Sequence, residues 1–255
     1  VEVVYYPDAY HSFDSKAADR TITVANGKSH RLAYDPVAAP DAEARTRFED
    51  RTPLLLRGLV LESLAERTAE AGQHAEAYHL KAAGARNWPK MAKAVARIDQ
   101  ARSEGVDIAA NMYAYTAGAT GLTAALPPWV QAGGHDVMIK RLKDPAIRQR
   151  VIAEMKGPAK GWENLRELAG DDAKVLFIGF RSEALKPLTG KTLADVIAQR
   201  GTSPEDTILD LIIEDDSRVD TAYFLMSEEN VELGLKQAWT SLGSDAESSA
   251  PEGVF

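Results

Sequence analysis

The sequence predicts an α/β protein built on a parallel sheet or barrel, and three observations carry that expectation. From about residue 53 onward, helical and strand-like segments alternate, the pattern of consecutive β–α units. Of the 255 residues, 45% are hydrophobic and 27% charged, the balance of a globular chain long enough for one large domain or two small ones. Strands expected near 107–113 and 220–226 are separated by about a hundred residues, against ~2–6 for an ordinary βα loop. An interval of that size predicts a helical insertion, about 114–219, covering the mouth of a barrel as a lid.

Taken in order, residues 1–6 (VEVVYY) are β-branched and aromatic, as a buried strand requires. They look like a strand from the interior of a longer chain, since the sequence opens on Val1 with neither Met nor a signal-like segment. A loop containing His11 follows. Asn26-Gly27 between TITV and SHRLAY then predicts a β-hairpin. Alanine-rich 36–48 predicts a helix, and 54–72 a second one closed by Gly72. HAEAYHL is a short strand ending near His79.

Residues 88–105 form a helix with Met91, Val95 and Ile98 on one face and Gly105 at its end. VDIAANMYAY is the next strand. Asp144 as N-cap and Pro145 as first helical residue open a helix whose buried stripe is Ile147, Val151 and Met155. Ser203-Pro204-Glu205-Asp206 opens another by the same chemistry. DTAYFLM is a strand, SEENVELGLKQA a helix capped by Ser227, and AWTSLGSD a last strand that runs out at Asp245.

Composition excludes several functions. Lys and Arg total 30 against 38 Asp and Glu, a net charge of -8, so the basic stripe of a nucleic-acid binder is missing. No apolar run approaches the ~18 residues needed to span a bilayer, so a membrane-spanning protein is not expected. The absence of cysteine rules out disulfides, thiolate nucleophiles and Cys-ligated zinc within the chain. A cytoplasmic protein is the expectation.

From about residue 59 to the end, six segments lie in the order of one family. They are HLKAAGARNWPKM, IDQARSEGVDIAANMYAYTAGATGLTAALPPWVQAGG, KRLKDPAIRQRV, GKTLADVIAQRG, YFLMSEENV and LGSD. Together they resemble the N-acyl-D-amino-acid deacylases (D-aminoacylases) of the amidohydrolase superfamily of metal-dependent (β/α)8 barrels. The first ~50 residues, with VEVVYYPDAYHSFD and LAYDPVAAPDAEARTRF, instead resemble the carboxyl end of a dienelactone hydrolase, an α/β-hydrolase. The expected organisation is a hybrid: a dienelactone-hydrolase-like segment over 1–50, and the later βα units of an amidohydrolase-type barrel over 51–255. The join falls between about Glu49 and Gly58.

The resemblance implies site residues. By spacing alone His79 is a satisfied structural histidine; in the HLK motif the family's histidine ends a barrel strand and binds the catalytic metal. Asp245 of LGSD is by position a turn or cap aspartate. The resemblance makes it a weak metal ligand and the group that shuttles a proton between attacking water and leaving amine. Lys81 is either a snorkelling surface lysine or a partner for a substrate carboxylate. Tyr113 stands where some relatives carry a further histidine, and Ala114 departs from their YPY. The family's His-x-His pair and cysteine ligand have no counterpart, so zinc, the implied cofactor, is left with His79 and Asp245. His11 matches the triad base of the other parent but has neither nucleophile nor orienting acid before it.

Of the remaining histidines, His30 is expected in solvent, His74 beside a helix end and His135 in an exposed loop. Glu214-Asp215-Asp216 is expected as a solvated turn. The function implied is metal-dependent hydrolysis of the amide of N-acyl-D-amino acids, with a small N-acyl amino acid as ligand. Carboxyl-ester or lactone hydrolysis through His11, and a chain that binds without catalysing, remain open beside it. A part-barrel leaves strand edges open, which favours a homo-oligomer.

Overall fold

The computed structural model describes residues 75–159 and 161–245 in full, together with the backbone of two short strands nearer the amino end. The expected strand at 1–6, His11, the helices at 36–48 and 54–72, the join, and His74 lie outside the described residues. The chain divides into two compact units, Val1–Glu43 and Ala44–Phe255.

In the first unit, β1 (Arg20–Thr23) and β2 (Ser29–Leu32) pair antiparallel with Thr23 opposite Ser29 and Arg20 opposite Leu32. This is the hairpin that the Asn26-Gly27 pair predicts.

The second unit opens with β3 (Ala75–Ala77), α1 (Lys90–Ser103) and β4 (Ile108–Met112). β3 and β4 run parallel, Ala75 opposite Ile108, so α1 is the crossover that parallel pairing demands. The helix buries Met91, Val95, Ile98 and Ala101, the stripe legible in the sequence. It lays them against Ile108, Ala110 and Trp239, whose indole donates to Asp99 at 2.7 Å. Each fully buried aliphatic side chain of this kind contributes ~1.5–3 kcal/mol. Gly105 closes the helix at φ +90°, a conformation side chains avoid.

The strand expected at 220–226 does not continue this sheet. The parallel neighbour of β4 is instead β8 (Thr240–Leu242), with Ala110 opposite Thr240 and Met112 opposite Leu242. Among the described residues the parallel sheet therefore has three strands, β3-β4-β8, rather than a closed barrel.

The intervening residues are not purely helical, as the sequence suggested. They contain β5 (Ala117–Gly121), α2 (Pro128–Gln131), α3 (His135–Lys143), α4 (Pro145–Lys156), α5 (Leu165–Ala169), β6 (Val175–Gly179), α6 (Leu193–Arg200) and α7 (Pro204–Asp215). β7 (Asp220–Phe224) follows, and it is the central strand of an antiparallel sheet, flanked by β5 and β6. Both of its edges are hydrogen-bonded there, which leaves none for β4. α8 (Glu228–Leu235) then leads to β8.

This inserted layer carries a core of its own. Phe177, Tyr223, Leu122, Leu142, Val151, Leu193 and Ile208 are fully buried. Tyr223 donates its hydroxyl to the Gly121 carbonyl at 3.1 Å, satisfying the one polar atom it brings inside. Trp129 donates to Glu154 at 2.8 Å and lies under Arg150, pinning α2 to α4.

The helix starts agree with the sequence. Asp144 accepts from the backbone N–H of Ala146 and Ile147, Ser203 from Asp206, and Ser227 from Asn230. The Glu214-Asp215-Asp216 expectation is corrected. Asp215 is buried and accepts from the N–H groups of Arg181 and Ser182 and from the Ser217 hydroxyl, so it holds the β6 exit loop to the end of α7. His135 is likewise no loop residue. It opens α3 and bonds Asp216 at 2.9 Å, which with Arg181 nearby holds the Asp216 carboxyl below the usual range. Among the described residues no helix is long and apolar enough to cross a membrane.

Candidate functional site

The carboxyl ends of the three parallel strands meet at one place. Past β3 the chain turns at His79, whose φ of +52° is unusual for a residue with a side chain. That turn explains why a histidine stands where the strand stops: the backbone swings it over β4 instead of continuing along the sheet. Asn111 in β4 fixes the turn, accepting the His79 backbone N–H at 2.8 Å on its side-chain oxygen. Its amide nitrogen donates to Glu76 at 2.6 Å, so Asn111 is held from both sides. Sequence reading missed Asn111; a polar residue in the middle of an otherwise apolar strand is the signal that finds it.

From the other edge, Asp245 follows β8 and also adopts a left-handed backbone, φ +54°. The Gly243 N–H bonds the Met112 carbonyl at 3.0 Å and carries the sheet pairing almost to that point. The result brings His79 Nε2 to 3.6 Å from Asp245 Oδ1, with the imidazole buried and the carboxylate about a quarter exposed. Two non-glycine residues held at positive φ on converging loops represent stored strain of the kind that clusters at functional sites.

Lys81 and Tyr113 complete the group. Lys81 Nζ reaches back to the His79 carbonyl at 3.4 Å and lies 4.8 Å from the centre of the Tyr113 ring. Burial pulls the Lys81 ammonium below its usual pKa, while Asp245 and Glu163 act in the opposite direction. The Tyr113 phenol is pushed up to about 12, first by burial and then by the Asp245 charge, so it stays a neutral donor at any physiological pH. Its ring meets the His79 imidazole edge-on at 5.4 Å and stacks on Tyr115 at 5.6 Å, while Tyr78 stacks on the other imidazole face at 3.7 Å. The structure thus unites four residues singled out in the sequence: His79, Lys81, Tyr113 and Asp245. His11 lies outside the described residues.

The zinc implied by the family resemblance can be tested against these donors. Two ligands ~2.0–2.1 Å from a tetrahedral zinc stand roughly 3.3 Å apart, so the 3.6 Å separation of His79 and Asp245 suits two corners of such a site. A catalytic zinc needs about three protein ligands. Among the described residues no cluster of three His, Cys, Asp or Glu stands together, and the donor set does not fit a catalytic zinc.

No protein-family model matches the chain, and no curated protein matches it. Among solved structures it is similar to an N-acyl-D-glutamate deacylase from Bordetella bronchiseptica complexed with zinc and a phosphonate inhibitor. That likeness has 19% identity, covers 72% of this chain and 29% of the other, and gives a TM-score of 0.47. It is also similar to a D-aminoacylase described as defining a subset of amidohydrolases, at 22% identity over 74% of this chain and 30% of the other, TM-score 0.46. The chain spans less than a third of the length of either structure.

Proposed function

We propose that residues 75–245 form part of a metal-dependent hydrolase acting on the amide bond of N-acyl-D-amino acids, and that the residues described supply the substrate end of its site. The observation that carries this reading is the convergence of His79 and Asp245 to 3.6 Å over β4, from two strands that are not neighbours. The six deacylase-like segments of the sequence support it, because their resemblance implies a metal-ligand role for the same two residues.

Within such a site each side chain has a task set by its chemistry. Lys81, a cation held in a half-buried position beside an aromatic ring, suits the substrate carboxylate. Tyr113, kept neutral, donates a hydrogen bond to a substrate oxygen. Asp245 accepts a proton from the attacking water on its partly exposed carboxylate and returns it to the departing amine. With two metal donors among the described residues, we expect the chain alone to bind substrate far better than it turns it over.

Calorimetric titration with N-acetyl-D-methionine and its L enantiomer tests the reading. The D form is expected to bind more tightly, and Lys81→Met to weaken it about tenfold, the loss of one charge-assisted hydrogen bond. Zinc retained after dialysis should fall in His79→Ala. Equal binding of both enantiomers, with no effect of Lys81→Met and equal zinc in parent and His79→Ala, would overturn it.

A further inference from the structure

A second concavity lies between the tight turn Ala85–Asn87 and α5, where β6 begins and β7 ends. Counting its open mouth and the solvent there, it holds about 630 Å3 of empty space. Its walls are aromatic and aliphatic, with Trp88, Leu168 and Phe224, and its rim carries Arg86, Glu167 and Lys174.

Two of these features are unusual for a passive surface. Phe224 is 42% exposed at the end of an otherwise well-packed strand. Antiparallel pairing starts with Val175 opposite Tyr223, and Lys174, which ends the tight turn just before β6, lines the same concavity as Phe224, the last residue of β7. A cation and an open aromatic ring therefore share one cleft. Trp88 is held in place, its indole N–H tied to the Leu225 carbonyl at 2.8 Å.

The charge at the rim selects the sign of the ligand. Glu167 is occupied at both oxygens, by Arg86 at 2.7 Å and by the Ala159 N–H at 3.2 Å, so it has little left for an incoming cation. Lys174 is exposed and has no ion-pair partner among the described residues. Two cations face one satisfied carboxylate, and the surplus is positive. We propose that this cleft is a binding site for a small aromatic carboxylate, its ring against Trp88 and Phe224 and its carboxylate on Lys174. This goes beyond the hydrolase reading and uses none of that site's residues.

Titration of the full chain with 3-phenylpropionate, followed by calorimetry, tests it. Saturable binding is expected, weakened about fivefold by Lys174→Glu and by Phe224→Ala, the scale of one exposed ion pair or one aromatic contact. The uncharged 3-phenylpropanamide should bind as weakly as the acid binds to Lys174→Glu. Lys81→Met, in the other site, should leave the affinity unchanged. Absence of saturable binding, indifference to both cleft variants, or loss of binding in Lys81→Met would overturn the proposal.

Discussion

The indole N–H of Trp88 donates to the carbonyl of Leu225 at 2.8 Å, joining positions 137 residues apart in sequence. The same carbonyl accepts the Gly84 backbone N–H, also at 2.8 Å, so one oxygen ties the turn after β3 to the strand leaving the insertion. Gly84 is what allows the approach: its φ is +83°, and a Cβ there would sit 2.8 Å from Leu168 Cδ2. Gly84→Ala is expected to cost about 1–3 kcal/mol through backbone strain and this clash. Urea unfolding measures it, and a loss within roughly 0.3 kcal/mol of zero, the scale of a neutral surface change, would show that the turn relaxes freely.

Asp206 connects stability to acid. The Ser203 hydroxyl, first, and the Arg148 guanidinium hold its carboxyl below the usual range. A carboxyl held lower in the folded chain than in the unfolded one adds stability above the unfolded value near 4, and loses it as pH falls through the folded value. The advantage of the parent over Asp206→Asn should therefore be full at pH 6 and shrink steadily below about pH 4. Solvent screening keeps it to about 1 kcal/mol or less. A difference that does not change with pH would show that the pair contributes by packing alone.

The sequence suggested that the insertion opens more readily than the strands around it. The packing indicates the reverse. β6 and β7 contribute fully buried Val175, Phe177 and Tyr223, while β3 and β8 are three residues long and Leu242 is 69% exposed. Amide hydrogen exchange is expected to be slower in β6 and β7 than in β3 and β8. Faster exchange in the insertion would restore the picture of a loose lid.

What the sequence made legible was local. Asp144, Ser203 and Ser227 mark helix starts because a cap is decided within four residues, and the Met91-Val95-Ile98 stripe marks a buried face by period alone. The partner of β7 was illegible, since both possible sheets offer the same alternating pattern and the choice rests on contacts about a hundred residues away. β5, sequence AGATG, has one β-branched residue, Thr120, and no aromatic among small residues that mark a strand poorly, and it is one because β7 pairs with it. In the site, motif likeness pointed to His79 and Asp245. It gave no hint of the left-handed backbones that aim them at each other or of Asn111 beneath, because both are products of tertiary pairing.

The pairing of β7 also bears on the order in which the chain assembles. Ser241 and Ala110, which meet in the parallel sheet, are 131 residues apart, a long loop to close from an unstructured chain. Once the antiparallel layer has formed, Thr116 holds the backbone of Leu225 and Met226 at 3.0 and 2.9 Å, so its two ends are already side by side. The stretch left to close shrinks to roughly twenty residues, easing closure by about 1.7 kcal/mol of chain entropy. The insertion is thus placed to fold early and deliver β8 to β4, and the meeting of His79 with Asp245 becomes one of the last events of folding.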